Sequence, residues 1–357
     1  MSGPTSTVAS RAGVNEEWLA KRVEDVLEPD LPICDPHHHL WDFPAHRYLL
    51  DQLRQDMEDG HNVVSTVFIE CTAFYRAGGP DHLRPVGEVE FVNGVAAMAA
   101  SGRYGDDRPC AAIAGRADLT LPDAQVREVL EAEVLAGGGR KGGEGRFKGI
   151  RHAAGWDKAA EVHNSHTDPP QGLYLRDDFR AGFKVLADMG LTFDAWLYHP
   201  QLPDLAALAA AFPHAKIVLD HCGGPLGVGP YQGRQDAYFA DWQKDIRAIA
   251  AASDNVYVKI GGIGMKVNGR NFHEMAEPPS SEHLAEVWKP WIDTCIDAFS
   301  PKRSMFESNF PVDKVSGSYR TYWNAFKHIA SGASADEKRW LFHDAAHSFY
   351  GLGTLGQ

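Results

Sequence analysis

What most constrains the fold is a strict alternation of short apolar runs with amphipathic stretches along almost the whole chain. Candidate strands are Leu31–Cys34, Val63–Cys71, Cys110–Arg116, Phe147–His152, Leu191–Tyr198, Lys216–His221, Val256–Ile260 and Ser304–Asn309. Helical patterns fall between and after them, at Glu88–Ala100, Ala124–Ala136, Asp178–Met189, Pro203–Ala211, Tyr238–Ala252, Glu282–Phe299 and Tyr319–Ala330. Near-continuous apolar strands belong to a parallel sheet covered on both faces. Eight such units predict a (β/α)8 TIM-type barrel, with a doubly wound sheet as the alternative.

The barrel is expected over residues 31–332, after a lead-in over 1–30 and before a C-terminal helical extension over 333–357 packed on the outside. Gly137–Gly145 reads as a glycine-rich hinge before strand four. Insertions follow strands six and seven, at Gly223–Asp236 and Gly261–Pro279. Segments that follow strands sit at the catalytic end of a barrel, so these two are candidate lids.

Charge and composition exclude several classes. A net charge of -13, spread along the chain, argues against nucleic acid and against an anionic membrane surface as partners. No apolar run is long enough to span a bilayer. Met1 to Asn15 is rich in Ser, Thr and Gly and lacks an apolar core, so it reads as a disordered lead-in rather than a signal peptide. The five cysteines, Cys34, Cys71, Cys110, Cys222 and Cys295, are odd in number and widely separated. They read as buried reduced thiols of a cytoplasmic protein. A small-molecule substrate is the expected partner, and association into a homo-oligomer stays open.

The chemistry begins in Asp35-Pro-His-His-His-Leu-Trp-Asp42, just after the first strand. Residues two apart on a strand point the same way, so His37 and His39 can converge on one metal ion or one carbonyl. The other strand ends are polar too. They carry Glu70, Arg116, Arg151 with His152, Tyr198 with His199, Asp220 with His221, Lys259, and Glu307 with Asn309 and Asp313. A purely structural barrel has no use for these groups, since burying each costs desolvation. Alternation puts Glu307 on the barrel-facing side with Asn309, and sets Asp220 and His221 on opposite sides unless the chain bends there. Trp41, Phe74, Tyr75, Trp156 and Tyr198 are aromatic candidates for stacking on a planar ring.

Asp35-x-His37-x-His39-x-Trp41-Asp42, Gly149-Ile150-Arg151-His152, Asp220-His221-x-Gly223 and Ser308-Asn309-Phe310-Pro311 resemble the amidohydrolase superfamily. The resemblance is to its amidohydrolase-related branch, which includes sugar-acid lactonases and 2-pyrone-4,6-dicarboxylate lactonase, and it runs from about Leu31 to the C-terminus. It implies a hydrolase that opens a lactone or similar cyclic ester of a small carboxylated or hydroxylated compound. His37, His39 and His199 match the imidazole ligands of the family. Glu70 can complete a site for one divalent ion, and neutral imidazoles suit zinc or manganese better than magnesium. Arg151 and His152 match a substrate-anion clamp, with Arg116, Lys259, Tyr198 and Trp41 around it, and His221 with Asp220 can stabilise an oxyanion.

One position departs from the family. Where relatives carry Ser-Asp-Trp-Pro, this chain has Ser308-Asn309-Phe310-Pro311, and an amide is neither a general base nor a good metal ligand. Three readings stay open. Glu307 or Asp313 activates the water; a histidine does so while Asn309 orients it; or hydrolysis is lost. A metal-independent reaction, a metal-dependent decarboxylase of an aromatic acid and a non-catalytic binding barrel are the alternatives.

Overall fold

The structure, a computed structural model, describes residues 14–44, 46–142 and 144–352. The first part of the expected lead-in, one glycine of the hinge and the last five residues of the expected extension lie outside these. Eight parallel strands form one sheet in sequence order: β1 Ile33–His38, β2 Val63–Ile69, β3 Arg108–Gly115, β4 Phe147–Arg151, β5 Thr192–Ala195, β6 Lys216–Leu219, β7 Val256–Lys259 and β8 Ser304–Met305. The sheet closes on itself just beyond β8. Asn309 N–H donates to the His37 carbonyl at 2.9 Å, and His39 N–H donates to the Phe310 carbonyl at 2.7 Å. Helices fill the outer layer and bury one continuous apolar core against the sheet. This is a (β/α)8 barrel.

Three strand ends differ from expectation by three or four residues. β1 runs on through His38, so His37 lies inside the strand. β5 stops at Ala195, four residues short of His199, and β8 is only Ser304–Met305. A register irregularity between Asp35 and His38 also reverses the alternation of β1. Cys34 points into the barrel, and after the irregularity His37 and His39 do so as well.

The C-terminal segment does not pack on the outside. The helix Ala335–Arg339, a π turn over Trp340–Asp344 and the helix Ala345–Tyr350 cross the barrel's lower end. Ala345, Ala346, Phe349 and Tyr350 pack on Cys34, Val67, Ile69, Ala112, Ala114, Val218 and Met305. The inward residues of β1 and β3 are small there, which leaves room for a plug. The N-terminal segment is docked too, with Trp18 buried and its indole N–H donating to the Met275 carbonyl at 2.8 Å. All five cysteines are buried and unbridged. No helix among the described residues is long and apolar enough to cross a membrane.

Candidate active site

Inward alternation carries polar side chains up through the upper half of the barrel. The inward series Val218–Asp220, Tyr257–Lys259 and Met305–Glu307 each end in an ionisable residue above an apolar one. Arg151 and Asp194 hold the equivalent places on β4 and β5. All five of these ionisable side chains are buried. His221 joins them because the chain bends at the end of β6, where its φ is +56°. This left-handed turn is uncommon for a residue with a side chain, and it brings Asp220 and His221 into the same interior. Gly262 lies directly against the imidazole. Its φ is +63°, and a Cβ there would stand 2.0 Å from His221 Nδ1, so only glycine fits.

Glu307 is the centre of the group. Its Oε1 accepts from the His221 backbone N–H at 3.1 Å and from His221 Nδ1 at 2.7 Å. Its Oε2 lies 2.9 Å from His37 Nδ1 but out of line for a hydrogen bond. Burial pushes the Glu307 carboxyl well above the usual range, opposed mainly by Lys259. Burial likewise lowers His37 far below the usual imidazole range and His221 to about 3. Both rings are therefore neutral at physiological pH. His37 faces cations at both nitrogens, Lys259 Nζ at 3.2 Å from Nδ1 and Arg151 Nη1 at 3.4 Å from Nε2.

His39 donates from Nδ1 to the Ile69 carbonyl at 2.8 Å, which leaves Nε2 unprotonated. His38 points the opposite way, its Nε2 2.8 Å from Thr66 Oγ1. The sharing of one face by His37 and His39 holds, with ring centroids 5.0 Å apart; His221 lies 4.5 Å from His37. Ligand atoms of His37, His221 and Glu307 lie within 4.8 Å of one another. Glu307 Oε2 and both Asp220 oxygens are buried without an aligned donor among the described residues. Two imidazoles and a carboxylate, with unsatisfied oxygens beside them, fit a divalent ion.

Above this group lies a cavity of about 270 Å³, walled by His39, Trp41, Arg151, Trp196, Tyr198, His221 and Asn309. The segment after β4 closes one side with Glu161, His163, Asn164, Ser165 and His166, while Val228, Met265, Lys266 and Val267 come from the two expected lids. The β4 segment is therefore a third insertion at this face. Tyr198 O–H pins it by donating to the His163 carbonyl at 2.6 Å, and His166 Nε2 lies 3.0 Å from Glu70 Oε1.

The other expected residues are placed differently. His199 takes no part in the imidazole group: its ring stacks on Tyr238 at 3.9 Å, and Nδ1 accepts from the Leu226 N–H at 3.2 Å. Glu70 is not free to ligate an ion, since Arg151 Nε donates to it at 2.8 Å and His166 holds the rest. His152 faces outward, against Phe179, and accepts from the Leu119 N–H at 3.3 Å. Arg116 lies outside the cavity wall, beside Glu133. Asp313 does not reach the cavity either. It accepts from Asn309 Nδ2 at 3.0 Å and from the Gly264 N–H at 3.0 Å, so it orients Asn309. Of the aromatic candidates, Trp41 and Tyr198 line the cavity, whereas Phe74 stacks on Phe91 at 3.8 Å. Sequence reasoning missed Asp194, Ser165, His166 and Trp196.

Comparison with known proteins gives a consistent result. The sequence model of a family described as Amidohydrolase matches residues 34–352. The chain is 32% identical to the uncharacterized protein y4mH of Sinorhizobium fredii over 342 residues, covering 90% of this chain and 99% of that protein. It is 26% identical to the L-fucono-1,5-lactonase of Burkholderia multivorans over 329 residues, covering 89% and 95%. A crystal structure of a Burkholderia multivorans amidohydrolase with bound zinc shares the fold. Its TM-score is 0.66 at 24% identity, with 90% of this chain and 99% of that one covered.

Proposed function

Because the chain belongs to the amidohydrolase family, we propose that this hydrolase opens a lactone of a small, oxygen-rich compound. The observation that carries the reading is the pair of unprotonated Nε2 atoms, on His39 and His221, that border the cavity beside Arg151. Neutral imidazoles held by their other nitrogen accept a proton from water in a defined direction. His221 is the proposed base. Glu307 holds the ring by its Nδ1–H, the orienting part a carboxyl group plays in a catalytic triad, and Asp220 beside it favours the imidazolium that forms on proton uptake.

Arg151 is the proposed oxyanion stabiliser. Three of its five N–H groups go to Glu70 Oε1, the Glu70 carbonyl and His37 Nε2, which leaves two for a developing negative oxygen. Asn309, its Nδ2 held by Asp313, lines the cavity, where its amide oxygen would orient the attacking water. His37, His221 and Glu307 are the residues that would hold a zinc or manganese ion in place of the hydrogen bonds they make here, and His221 would then be a ligand rather than the base; such an ion would polarise a carbonyl and make bound water more acidic.

Two further observations bear on the substrate. Trp41 and Ser165 line the cavity, and Trp41 Nε1 and Ser165 Oγ are buried with no hydrogen-bond partner among the described residues. An indole N–H only donates, and a hydroxyl both donates and accepts, so each suits an oxygen substituent on the ring. The relative named L-fucono-1,5-lactonase supports a hydroxylated lactone. The test is base uptake at constant pH with aldonolactones, unsubstituted δ-valerolactone and a pyrone carboxylate, alongside carbon dioxide release from aromatic acids. Hydrolysis of hydroxylated lactones is expected. Carbon dioxide release with every lactone untouched would show that the decarboxylase reading is the right one.

A further inference from the structure

Below the imidazole group the polar column continues to a residue that belongs to no motif. Tyr350 ends the helix that plugs the barrel floor, and its side chain is buried. Its O–H donates to Asp194 Oδ1 at 2.6 Å. Lys259 Nζ donates to the same oxygen at 2.5 Å and reaches Asp220 Oδ1 at 3.1 Å and His37 Nδ1 at 3.2 Å. The ammonium also stands 5.7 Å from the centre of the Tyr350 ring. Among the described residues Asp194 Oδ2 has no donor.

We propose that Tyr350 is a positioning residue for the reaction, fixing Asp194 and, through it, the place of Lys259 beneath His37. A lysine ammonium is a compact charge on a flexible stem with three rotatable donors. Here it has three carboxylates to choose from, since Asp194, Asp220 and Glu307 all attract it. The phenol O–H holds Asp194 Oδ1 toward Lys259 without adding charge. Without that hydroxyl the carboxylate keeps a single donor and can turn, and the ammonium is free to move toward Glu307. A Lys259 drawn onto Glu307 competes with His221 Nδ1–H and displaces the imidazoles from the geometry the reaction needs.

This rests on the reading of the cavity as a hydrolytic site, so the test has two arms. Tyr350→Phe keeps the ring in the floor and removes only the hydroxyl. Tyr350→Leu removes both and serves as the packing control. On a lactone that the wild type turns over, Tyr350→Phe is expected to lower kcat roughly tenfold with KM within about twofold. Its melting temperature should stay close to wild type, while that of Tyr350→Leu falls. If Tyr350 is only a plug, Tyr350→Phe keeps its kcat, and that result overturns the proposal. If the wild type hydrolyses no lactone, ¹⁵N resonances of the histidine rings decide instead. A displaced or doubled His37 signal in Tyr350→Phe supports positioning even though hydrolysis has failed, and unchanged His37 signals overturn it.

Discussion

Glu307 Oε1 accepts two hydrogen bonds from one residue, the backbone N–H of His221 at 3.1 Å and its Nδ1–H at 2.7 Å. The carboxylate thereby fixes the ring's tautomer and its direction together. Glutamine at this position keeps an acceptor for both bonds but removes the ionisable carboxyl behind the ring. Glu307→Gln is therefore expected to lower kcat roughly 10²- to 10⁴-fold with little change in KM. Steady-state kinetics on a hydroxylated lactone is the check, and unchanged turnover removes Glu307 from the mechanism.

His38 and His39 are neighbours with opposite duties. His39 presents Nε2 to the cavity, whereas His38 accepts from the Thr66 hydroxyl on the other side of the strand. His39→Ala is expected to reduce kcat by about 10²-fold or more at nearly wild-type stability. His38→Leu leaves the buried Thr66 hydroxyl without its acceptor, a loss of about 1–3 kcal/mol. Denaturant unfolding should register that loss while kcat stays within about twofold. The reverse assignment of effects would mean that β1 is out of register.

Ser165 is held rigid from both sides, its N–H donating to the Gly155 carbonyl at 2.7 Å and its carbonyl accepting from Asp168 N–H at 2.8 Å. Its hydroxyl is buried at the cavity wall with no partner among the described residues. Ser165→Ala should lower kcat/KM about 3- to 10-fold for a hydroxylated lactone, the worth of one neutral hydrogen bond. For the matching deoxy lactone it should change little. Equal losses on both substrates would remove Ser165 from substrate recognition.

A divalent ion at His37, His221 and Glu307 predicts about one zinc or manganese per purified chain. His221→Ala should lower that content as well as activity. Full metal content in His221→Ala would place the ion elsewhere, and full activity after chelation would make the reaction metal-independent.

The barrel was legible because its strands are continuous apolar runs; the strand end alone gives Lys259, and period two places His37 with His39 and Glu307 with Asn309. It went wrong where a strand's end was misjudged. Leu191–Tyr198 reads as one apolar run, so its terminal polar group seemed to be His199. The strand stops at Ala195, and Asp194 is the group that faces inward. His221 was ambiguous because its entry depends on a left-handed turn that no periodicity encodes. Ser165 and His166 sit in a segment without regular structure, where spacing carries no direction. Tyr350 depends on a helix choosing the barrel floor over its flank. Small residues such as Ala112 and Ala114 permit that choice, but only the assembled barrel reveals the space.

Glu88 lies away from the cavity and gives a test of burial alone. Its side chain is fully buried, and Oε1 accepts from Cys71 N–H at 3.1 Å and Ala73 N–H at 2.8 Å. Burial, with Glu70 nearby, pushes its carboxyl up to about 8. In the unfolded chain a glutamate ionises near pH 4.3. Between those values the folded protein holds a proton that the unfolded chain has released, so this group's contribution to stability is full at low pH and is lost as pH rises toward 8. Glu88→Gln keeps the acceptor oxygen and never ionises. Its melting temperature relative to wild type should therefore climb from pH 5 to pH 8 and level off above. A difference that stays flat across that interval would mean that Glu88 is ionised in the folded protein throughout.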